Sequence, residues 1–542
     1  MTSPAPRRWL VVAALAVAFG LATRVVGLGE KPVWHDEVYT RAFVAGHAAG
    51  EWLAALYRGE PVTAGEIAAW QRLDDGGDAL GTVLALARDE PQHPPLYYLL
   101  ARLWEEAFGD GIGALRALSV LASLLAVAAA AWLGRELFGP RGPPAATPLV
   151  VALVGLSPFL ALYAQEAREY ALWSALVLAT TAALLRALRR VDADAPAKER
   201  AQAWLLYAVL TALALYTCFS QVSVILAHLG FVGWRARGRL TRAAWEAALA
   251  LGLAGLLFLP WAVLLGEHLE AFRASMSWSS DIVVPRAQVL GTLAVSVSRP
   301  LVDLWAEVGS APSVVAVAAA VAVVGWALAG VARRGPTGAR ALLILLVALP
   351  IGLLLVPDLV VGGIRSFSTR YLMPALLACL VAVGWRVAVV AVPRRRALVA
   401  GALLAVVAAS AVRTMAPPVP WTRGLSTGLP AVAAAVRAEP RPVVVGDRER
   451  HHPGNLMALA TMVPPETPFV LLDHPVRDAL VARLGAADAG AWPLVAGVAP
   501  DRAVFLYSPV PQLREAMEHA AGRAMTLVYE DLFVQCWRLS PP

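Results

Sequence analysis

The feature that most constrains this chain is a series of apolar runs, each long enough to cross a lipid bilayer. Hydrophobic residues make up 58% of the 542 residues, and charged residues make up only 16%. A typical soluble domain carries about 25% charged residues. Because a bilayer core of about 30 Å needs roughly 20 apolar residues in a helix, the sequence predicts an α-helical polytopic membrane protein.

The first apolar run extends from Trp9 to about Leu28 and follows Arg7 and Arg8, as the core of a signal peptide would. It is long enough to span the bilayer and has no clear small-residue cleavage site, so we interpret it as a retained helix. Continuing along the chain at this spacing predicts about 11 transmembrane helices. They are expected near residues 9–28, 115–134, 146–163, 170–187, 203–218, 220–234, 244–265, 313–332, 341–360, 371–392 and 397–415.

Short basic clusters between the apolar runs predict the orientation of the chain. Examples are Arg186, Arg189 and Arg190 after one run and Arg394, Arg395 and Arg396 between the last two. Such clusters mark cytoplasmic loops. The net charge of +7 is therefore explained without nucleic acid. With the N-terminus inside, we expect a multi-pass protein of the plasma (inner) membrane whose C-terminus is extracytoplasmic.

This topology places three long segments outside, namely 29–114, 266–312 and everything after about residue 416. The first has amphipathic stretches that favour helices on the membrane surface. The last alternates short β-like runs with helical stretches, which favours a small α/β domain. We therefore predict two domains, a transmembrane catalytic domain over 1–415 that includes loop 29–114, and an extracytoplasmic α/β domain over 416–542.

Two adjacent carboxylates, Asp36 and Glu37, follow the first apolar run. A charged side chain costs roughly 2.5 to 3.5 kcal/mol at the centre of a membrane helix, so acids near a bilayer are functional candidates when they face a cavity. The alternative is that both acids are solvated loop residues that cap the next helix.

Three more polar motifs are predicted on the same outer face, around His93, around Arg168 and around Arg370. The planar guanidinium of arginine donates paired hydrogen bonds to an oxyanion, so Arg168 and Arg370 are candidate ligands of a lipid-linked phosphate. An opposing carboxylate could remove a proton from an acceptor hydroxyl. The alternative for Arg168 is a structural ion pair with a neighbouring glutamate. Candidate substrate-binding residues are His93, Tyr97, Gln165, Glu166, Arg168, Tyr170, Arg365, Arg370 and Tyr371.

The order of these motifs resembles the integral-membrane glycosyltransferases of the GT-C superfamily over about residues 8–415. The resemblance is to the bacterial branch related to protein O-mannosyltransferases (family 39) and lipid A aminoarabinose transferases. It implies a polyprenyl-phosphate sugar donor and extracytoplasmic transfer with inversion. It also implies that Asp36 is the general base, Glu37 its helper or a positioner of acceptor, and Arg168 and Arg370 the phosphate ligands. His93 and Tyr371 would shape the cavity.

The chain departs from this pattern at Thr217-Cys218-Phe219, where relatives often carry a histidine and a tyrosine after the threonine. Another reading is a transporter or flippase of lipid-linked substrates, in which the charged residues line a pathway. We find no repeated hydropathy halves of the kind transporters use. The sugar, and whether the acceptor is a glycan, a lipid or a protein, are left open.

Metal binding is weakly indicated. Three cysteines provide no thiolate site, and the pair His451-His452 has no further ligands at a suitable spacing. A divalent cation would suit a phosphate leaving group, but two acids adjacent in sequence do not by themselves form a chelating cage. We therefore assign no cofactor and name no metal ligands.

Overall fold

The computed structural model describes residues 4–73, 77–304, 309–449, 452–486 and 502–540, and within them the chain is mainly helical. The helices run in chain order as α1 (Pro4–Val25), α2 (His35–Ala45), α3 (Ala49–Leu56), α4 (Ala64–Ala69), α5 (Ala79–Asp89), α6 (Leu96–Phe108), α7 (Ile112–Phe138), α8 (Ala146–Leu156), α9 (Pro158–Ala164), α10 (Tyr170–Asp192), α11 (Ala197–Leu215), α12 (Gln221–Ala236), α13 (Arg242–Glu267), α14 (Leu269–Ser277), α15 (Arg286–Ser298), α16 (Ala311–Arg334), α17 (Thr337–Val360), α18 (Met373–Ala388), α19 (Pro393–Met415), α20 (Leu429–Ala438), α21 (Pro453–Ala460), α22 (His474–Gly485) and α23 (Pro511–Ala521).

Eight helices in the described residues are long and apolar enough to cross a membrane, and the bent pair α8 and α9 would make a ninth span. The chain is therefore a multi-pass membrane protein, as predicted. The predicted count of about 11 is too high by this test, although a helix lies near every predicted span. Helix α12 has only 16 residues, and α11 begins with the charged sequence Ala-Lys-Glu-Arg. These two helices account for the difference.

The chain divides into two compact units. The first unit comprises Met1–Gly29, Glu90–Leu100 and Gly113–Pro417. Its helices α1 and α8 approach so closely that a Cβ atom added at Gly20 would clash with the carbonyl oxygen of Gly155. At the same contact, the buried Arg24 side chain donates to the carbonyl oxygens of Gly155 and Val154. Small residues and a buried cation thus join the first span to α8.

The second unit comprises Glu30–Asp89, Ala101–Ile112 and Pro418–Pro542. It contains a six-stranded sheet in the order β1-β3-β2-β4-β6-β5. The central strands β3, β2 and β4 are parallel, and the pairs on either side are antiparallel. The strands are β1 (Arg58–Thr63), β2 (Pro442–Asp447), β3 (Pro468–Leu472), β4 (Ala503–Tyr507), β5 (Thr526–Glu530) and β6 (Gln535–Leu539).

Alternation along the central strands builds two cores. Val444, Phe469 and Phe505 belong to a buried cluster with residues of α2, α3, α20 and α21. Val443 and Val504, on the opposite face, pack with residues of α22 and α23. Because both faces are covered, the strands are apolar at almost every position, as is typical of parallel sheets.

The predicted α/β domain after residue 416 is present, but its composition differs from the prediction. Strand β1 comes from the first long loop and pairs antiparallel with β3. Residues 30–89 and 101–112 therefore belong with the C-terminal unit, whereas the sequence placed all of loop 29–114 with the transmembrane domain. Pairing between strands about 400 residues apart has no local sequence signal, since it depends on a register that only folding establishes.

Candidate functional site

The acid pair lies in the second unit, in the first turn of α2, where the helix dipole favours negative charge. The Asp36 carboxylate is 2.9 Å from His35 Nε2, and its side chain is 16% exposed. The Glu37 side chain is fully buried, with Oε1 3.8 Å from a guanidinium nitrogen of Arg423. The acids therefore begin a helix, but Glu37 is not a solvated capping residue. Of the two, only the Asp36 side chain is partly accessible.

The motif around Arg168 forms a compact charged cluster in the first unit, between α9 and α10. Glu169 Oε1 is 2.9 Å from His93 Nδ1, and Oε2 is 3.4 Å from Arg168 Nε. Arg168 also contacts His93 Nε2 at 3.2 Å. Burial opposes ionisation of Glu169, but Arg168 and His93 outweigh it and lower the pKa of this carboxyl to about 2. Glu169 is therefore the ionised partner that holds Arg168 and His93 together.

The Tyr170 ring lies near both candidate phosphate ligands. The guanidinium carbons of Arg168 and Arg370 are 5.9 and 5.5 Å from its centroid. Arg370 is also 5.5 Å from the centroid of Tyr371. Arginines at these distances interact favourably with an aromatic ring, and two guanidiniums around one ring form a setting suited to a phosphate. Arg370 is half-buried.

A bend between two consecutive helices positions this cluster. Ser157 caps α9 by accepting a hydrogen bond from the Leu160 amide, and Pro158 occupies the first position of that helix. Helices α8 and α9 consequently meet at a bend of 53°. The short α9 then leads directly into the Arg168 motif.

Three further predicted site residues, Gln165, Tyr97 and Glu166, are buried. The Gln165 amide donates to the carbonyls of Thr23, Arg24 and Val26 and so satisfies the end of α1. The hydroxyl of the fully buried Tyr97 lies 2.9 Å from Ser119 Oγ.

Arg365 is held by the end of α17. Its guanidinium and its backbone amide both bond to Asp358 at 3.1 Å. Asp358 also accepts the backbone amide and the hydroxyl of Ser366, each at 2.7 Å. This buried carboxylate fixes the start of the segment that leads to Arg370.

A second network, which sequence reasoning missed, fixes the other end of that segment. Thr369, the residue before Arg370, accepts a hydrogen bond of 2.7 Å from Arg299 and lies 2.8 Å from Ser296 Oγ. All three side chains are buried. The available signal was Arg299-Pro300 inside the predicted outer segment 266–312. A single arginine in a long loop is too common a feature to single out.

The described residues contain no group of three or more His, Cys, Asp or Glu side chains arranged to hold a metal ion. His451, of the predicted histidine pair, lies outside the described residues. His452 packs against His35, with ring centroids 4.5 Å apart. The geometry thus places it against the acid motif.

Comparison with known proteins finds similarity to one family profile and to solved structures. The sequence profile of the family described as dolichyl-phosphate-mannose-protein mannosyltransferase matches residues 92–263. The crystal structure of ArnT from Cupriavidus metallidurans bound to undecaprenyl phosphate is similar, with 14% identity, a TM-score of 0.54 and coverage of 97% of both chains. The oligosaccharyltransferase of Archaeoglobus fulgidus tethered to an acceptor peptide is 12% identical, with a TM-score of 0.50, covering 95% of this chain and 71% of that one.

No curated protein matches the chain in sequence. At identities of 14% and 12%, the likeness to the two solved structures establishes a shared fold. It confirms the predicted membrane architecture with a small C-terminal α/β domain.

Proposed function

We propose that this GT-C protein, related to the protein mannosyltransferases and to ArnT, is a membrane glycosyltransferase that uses a lipid-linked sugar donor. It would transfer one monosaccharide from a polyprenyl phosphate to an acceptor hydroxyl on the extracytoplasmic side. The observation that carries this proposal is the Arg168–Tyr170–Arg370 cluster, which suits a phosphate joined to a lipid. The matched ArnT structure holds undecaprenyl phosphate.

In the proposed reaction, the acceptor oxygen attacks the anomeric carbon of the donor. The bond from that carbon to the phosphate oxygen breaks, and the polyprenyl phosphate leaves with the electron pair. A single displacement inverts the configuration at the carbon. Asp36 takes the acceptor proton, a contribution of typically about 100-fold to 10,000-fold in rate. Arg168 and Arg370 offset the charge that develops on the leaving phosphate.

Glu37 receives a different part in this proposal. Its carboxylate is fully buried beside Arg423, so it supports the start of α2 and does not bind the acceptor. Glu169 orients Arg168 and His93, and Tyr371 contributes an aromatic face beside Arg370. His93 is thus a partner of the phosphate ligands.

Reconstitution in liposomes tests the proposal. Purified protein would be incubated with undecaprenyl phosphate carrying radiolabelled mannose, glucose or arabinose, together with extracted cell-envelope material as acceptor. We expect one donor to lose its label to the acceptor fraction while free undecaprenyl phosphate accumulates. Donor that crosses the bilayer chemically unchanged would instead identify a flippase. Absence of both transfer and movement with every donor would contradict the use of a lipid-linked monosaccharide.

A further inference from the structure

The start of α2 lacks a cap of its own. Trp34 precedes the helix and offers no side-chain acceptor to the first backbone amides, which are unsatisfied at every helix N-terminus. The hydroxyl of Ser426 accepts the amide of His35 at 3.4 Å. A residue about 390 positions later in the chain therefore performs the capping that a local Ser, Thr, Asp or Asn usually provides.

The capping residue is itself fixed in place. Ser426 donates to Asn455 Oδ1 at 2.8 Å, and the Asn455 amide donates to the carbonyl of Leu425 at 2.8 Å. Both Ser426 and Asn455 are buried. The short 3₁₀ segment Trp421–Ser426 is thus anchored to α21 of the α/β sheet unit.

The same segment carries Arg423, which holds the acid motif from both sides. Its guanidinium donates to the carbonyl of Pro32 at 2.7 Å and lies 3.8 Å from Glu37. Asp36 is between these two contacts in the sequence. Arg423 is 1% exposed and Glu37 is 0% exposed. Breaking a buried ion pair is strongly destabilising. The contact with Arg423 therefore helps to fix the position of the first turn of α2.

The sheet unit adds a ring contact to the same place. His452 packs against His35 and against Tyr39, with centroids 4.5 and 5.2 Å apart. His35 in turn contacts the Asp36 carboxylate at 2.9 Å. The residues around Asp36 are therefore supported by Arg423, Ser426 and His452, all of which follow the last membrane helix.

We infer that Arg423 is a positioning residue for Asp36, and that the C-terminal part of the chain is required to hold the general base. This inference rests on the proposed function, because it assumes that Asp36 accepts the proton. It assigns the residues of the second unit that follow Pro418 a role in the chemical step. This role does not depend on the identity of the acceptor.

The test compares wild type, Arg423→Met, Arg423→Lys and the double variant Arg423→Met with Glu37→Gln, in the full-length protein in nanodiscs. A misplacement of about 1 Å lowers rates by roughly 100-fold, so we expect Arg423→Met to lower kcat by about that factor. Donor binding, measured with undecaprenyl phosphate, should stay within about twofold. Arg423→Lys should retain part of kcat because it keeps the positive charge. It should not retain all of it because lysine lacks the planar guanidinium that donates paired hydrogen bonds.

Two readouts separate positioning from simple loss of structure. In Arg423→Met, the Glu37 charge beside Asp36 no longer faces the Arg423 guanidinium, and this should move the acidic limb of the kcat profile to higher pH. The double variant removes that charge and should move the limb back. If Arg423→Met does not fold, the double variant still allows the comparison, because it removes the Glu37 charge together with the guanidinium that faces it. The exposed Arg483 provides a matched control in Arg483→Met.

The outcomes separate the two claims. An inactive wild type would overturn the proposed function. If the wild type is active and Asp36→Asn is inactive, a normal kcat and pH profile in Arg423→Met would overturn only the positioning role. Where Arg423→Met does not fold, a normal kcat in the double variant would do the same. A fall in kcat with weakened donor binding and an unmoved pH profile would also overturn it, since that is the signature of general loss of structure.

Discussion

The acid centre around Asp36 and the arginine centre around Tyr170 are built in different ways. The arginine centre uses His93 before α6, the junction of α9 with α10, and the segment before α18. Each part is a short motif that is recognisable in the sequence. The acid centre is also a short motif, but Arg423, Ser426 and His452 hold it from far along the chain.

This difference shows that a motif can be recognised in the sequence even when the residues that hold it in place cannot. In the arginine centre, Glu169 and Arg168 are adjacent residues, so their pairing could be anticipated. In the acid centre, the partner of Glu37 is about 390 residues away. Substitutions in the two centres should therefore differ in what they disturb.

Asp36→Asn should produce the largest effect and should separate the centres. It keeps the size of the side chain but removes proton acceptance, so we expect turnover to fall by about 100-fold or more. Undecaprenyl-phosphate binding should be retained, because the proposed phosphate ligands are elsewhere. Transfer of radiolabel measures the first effect, and a binding assay measures the second. The exposed Glu60 provides a control in Glu60→Gln. Near-normal turnover of Asp36→Asn would show that Asp36 is not the general base.

Glu169→Gln should weaken the arginine centre as a structure. Because the folded pKa of Glu169 is about 2, against an ordinary value of 4.5, its contribution to stability is present above pH 4.5 and is lost as pH falls towards 2. The shift corresponds to about 3 kcal/mol. Thermal unfolding in detergent should show that Glu169→Gln is less stable than wild type at pH 7. The difference in free energy of unfolding between the two proteins should become smaller below pH 4.5. A difference that is constant with pH would contradict the charge pairing, and Glu267→Gln serves as an exposed control.

Arg370→Ala tests the phosphate ligand more directly. A charge-assisted hydrogen bond contributes about 1.5 to 3 kcal/mol, so donor affinity should fall by roughly 10-fold to 150-fold. Arg370→Lys should recover only part of the affinity, since it lacks the planar fork. Binding of a polyprenyl-phosphate sugar in nanodiscs is the measurement, with the exposed Arg273→Ala as control. Equal affinity in all variants would indicate that Arg168 or Arg365, and not Arg370, binds the phosphate.

Glu105→Gln should have the smallest effect and the opposite dependence on pH. Neither carboxylate oxygen of this buried residue has a hydrogen-bond partner within the described part of the chain, and burial raises its pKa to about 7. The contribution of Glu105 to stability should therefore be most favourable below pH 4.5 and should fall by about 2 kcal/mol between pH 5 and 7. Glu105→Gln should flatten this dependence in thermal unfolding, whereas the neighbouring, more exposed Glu106→Gln should not. An unchanged profile would place the titrating group elsewhere.

The sequence predicted the fold well where the signal was local. Apolar length located helices near every expected span. The β-like runs at 442–446, 468–472, 503–507 and 525–529 located β2, β3, β4 and β5 within one residue. The predicted count exceeds the clear spans of the described residues because α11 and α12 are helices without the length or apolarity of a clear span. Strand β1 was missed because its pairing partner, β3, is remote in sequence.

Residue types and spacing determined, without any structure, that this chain is a helical membrane protein with acids and arginines in ordered motifs. These properties follow from transfer free energies and helix geometry, which act over a few residues. Only the tertiary structure decided that Glu37 is buried beside Arg423, that Gln165 satisfies the end of α1, and that Thr369 is held by Arg299. Those outcomes depend on which distant groups become neighbours, and a buried polar group must find a partner wherever the fold supplies one.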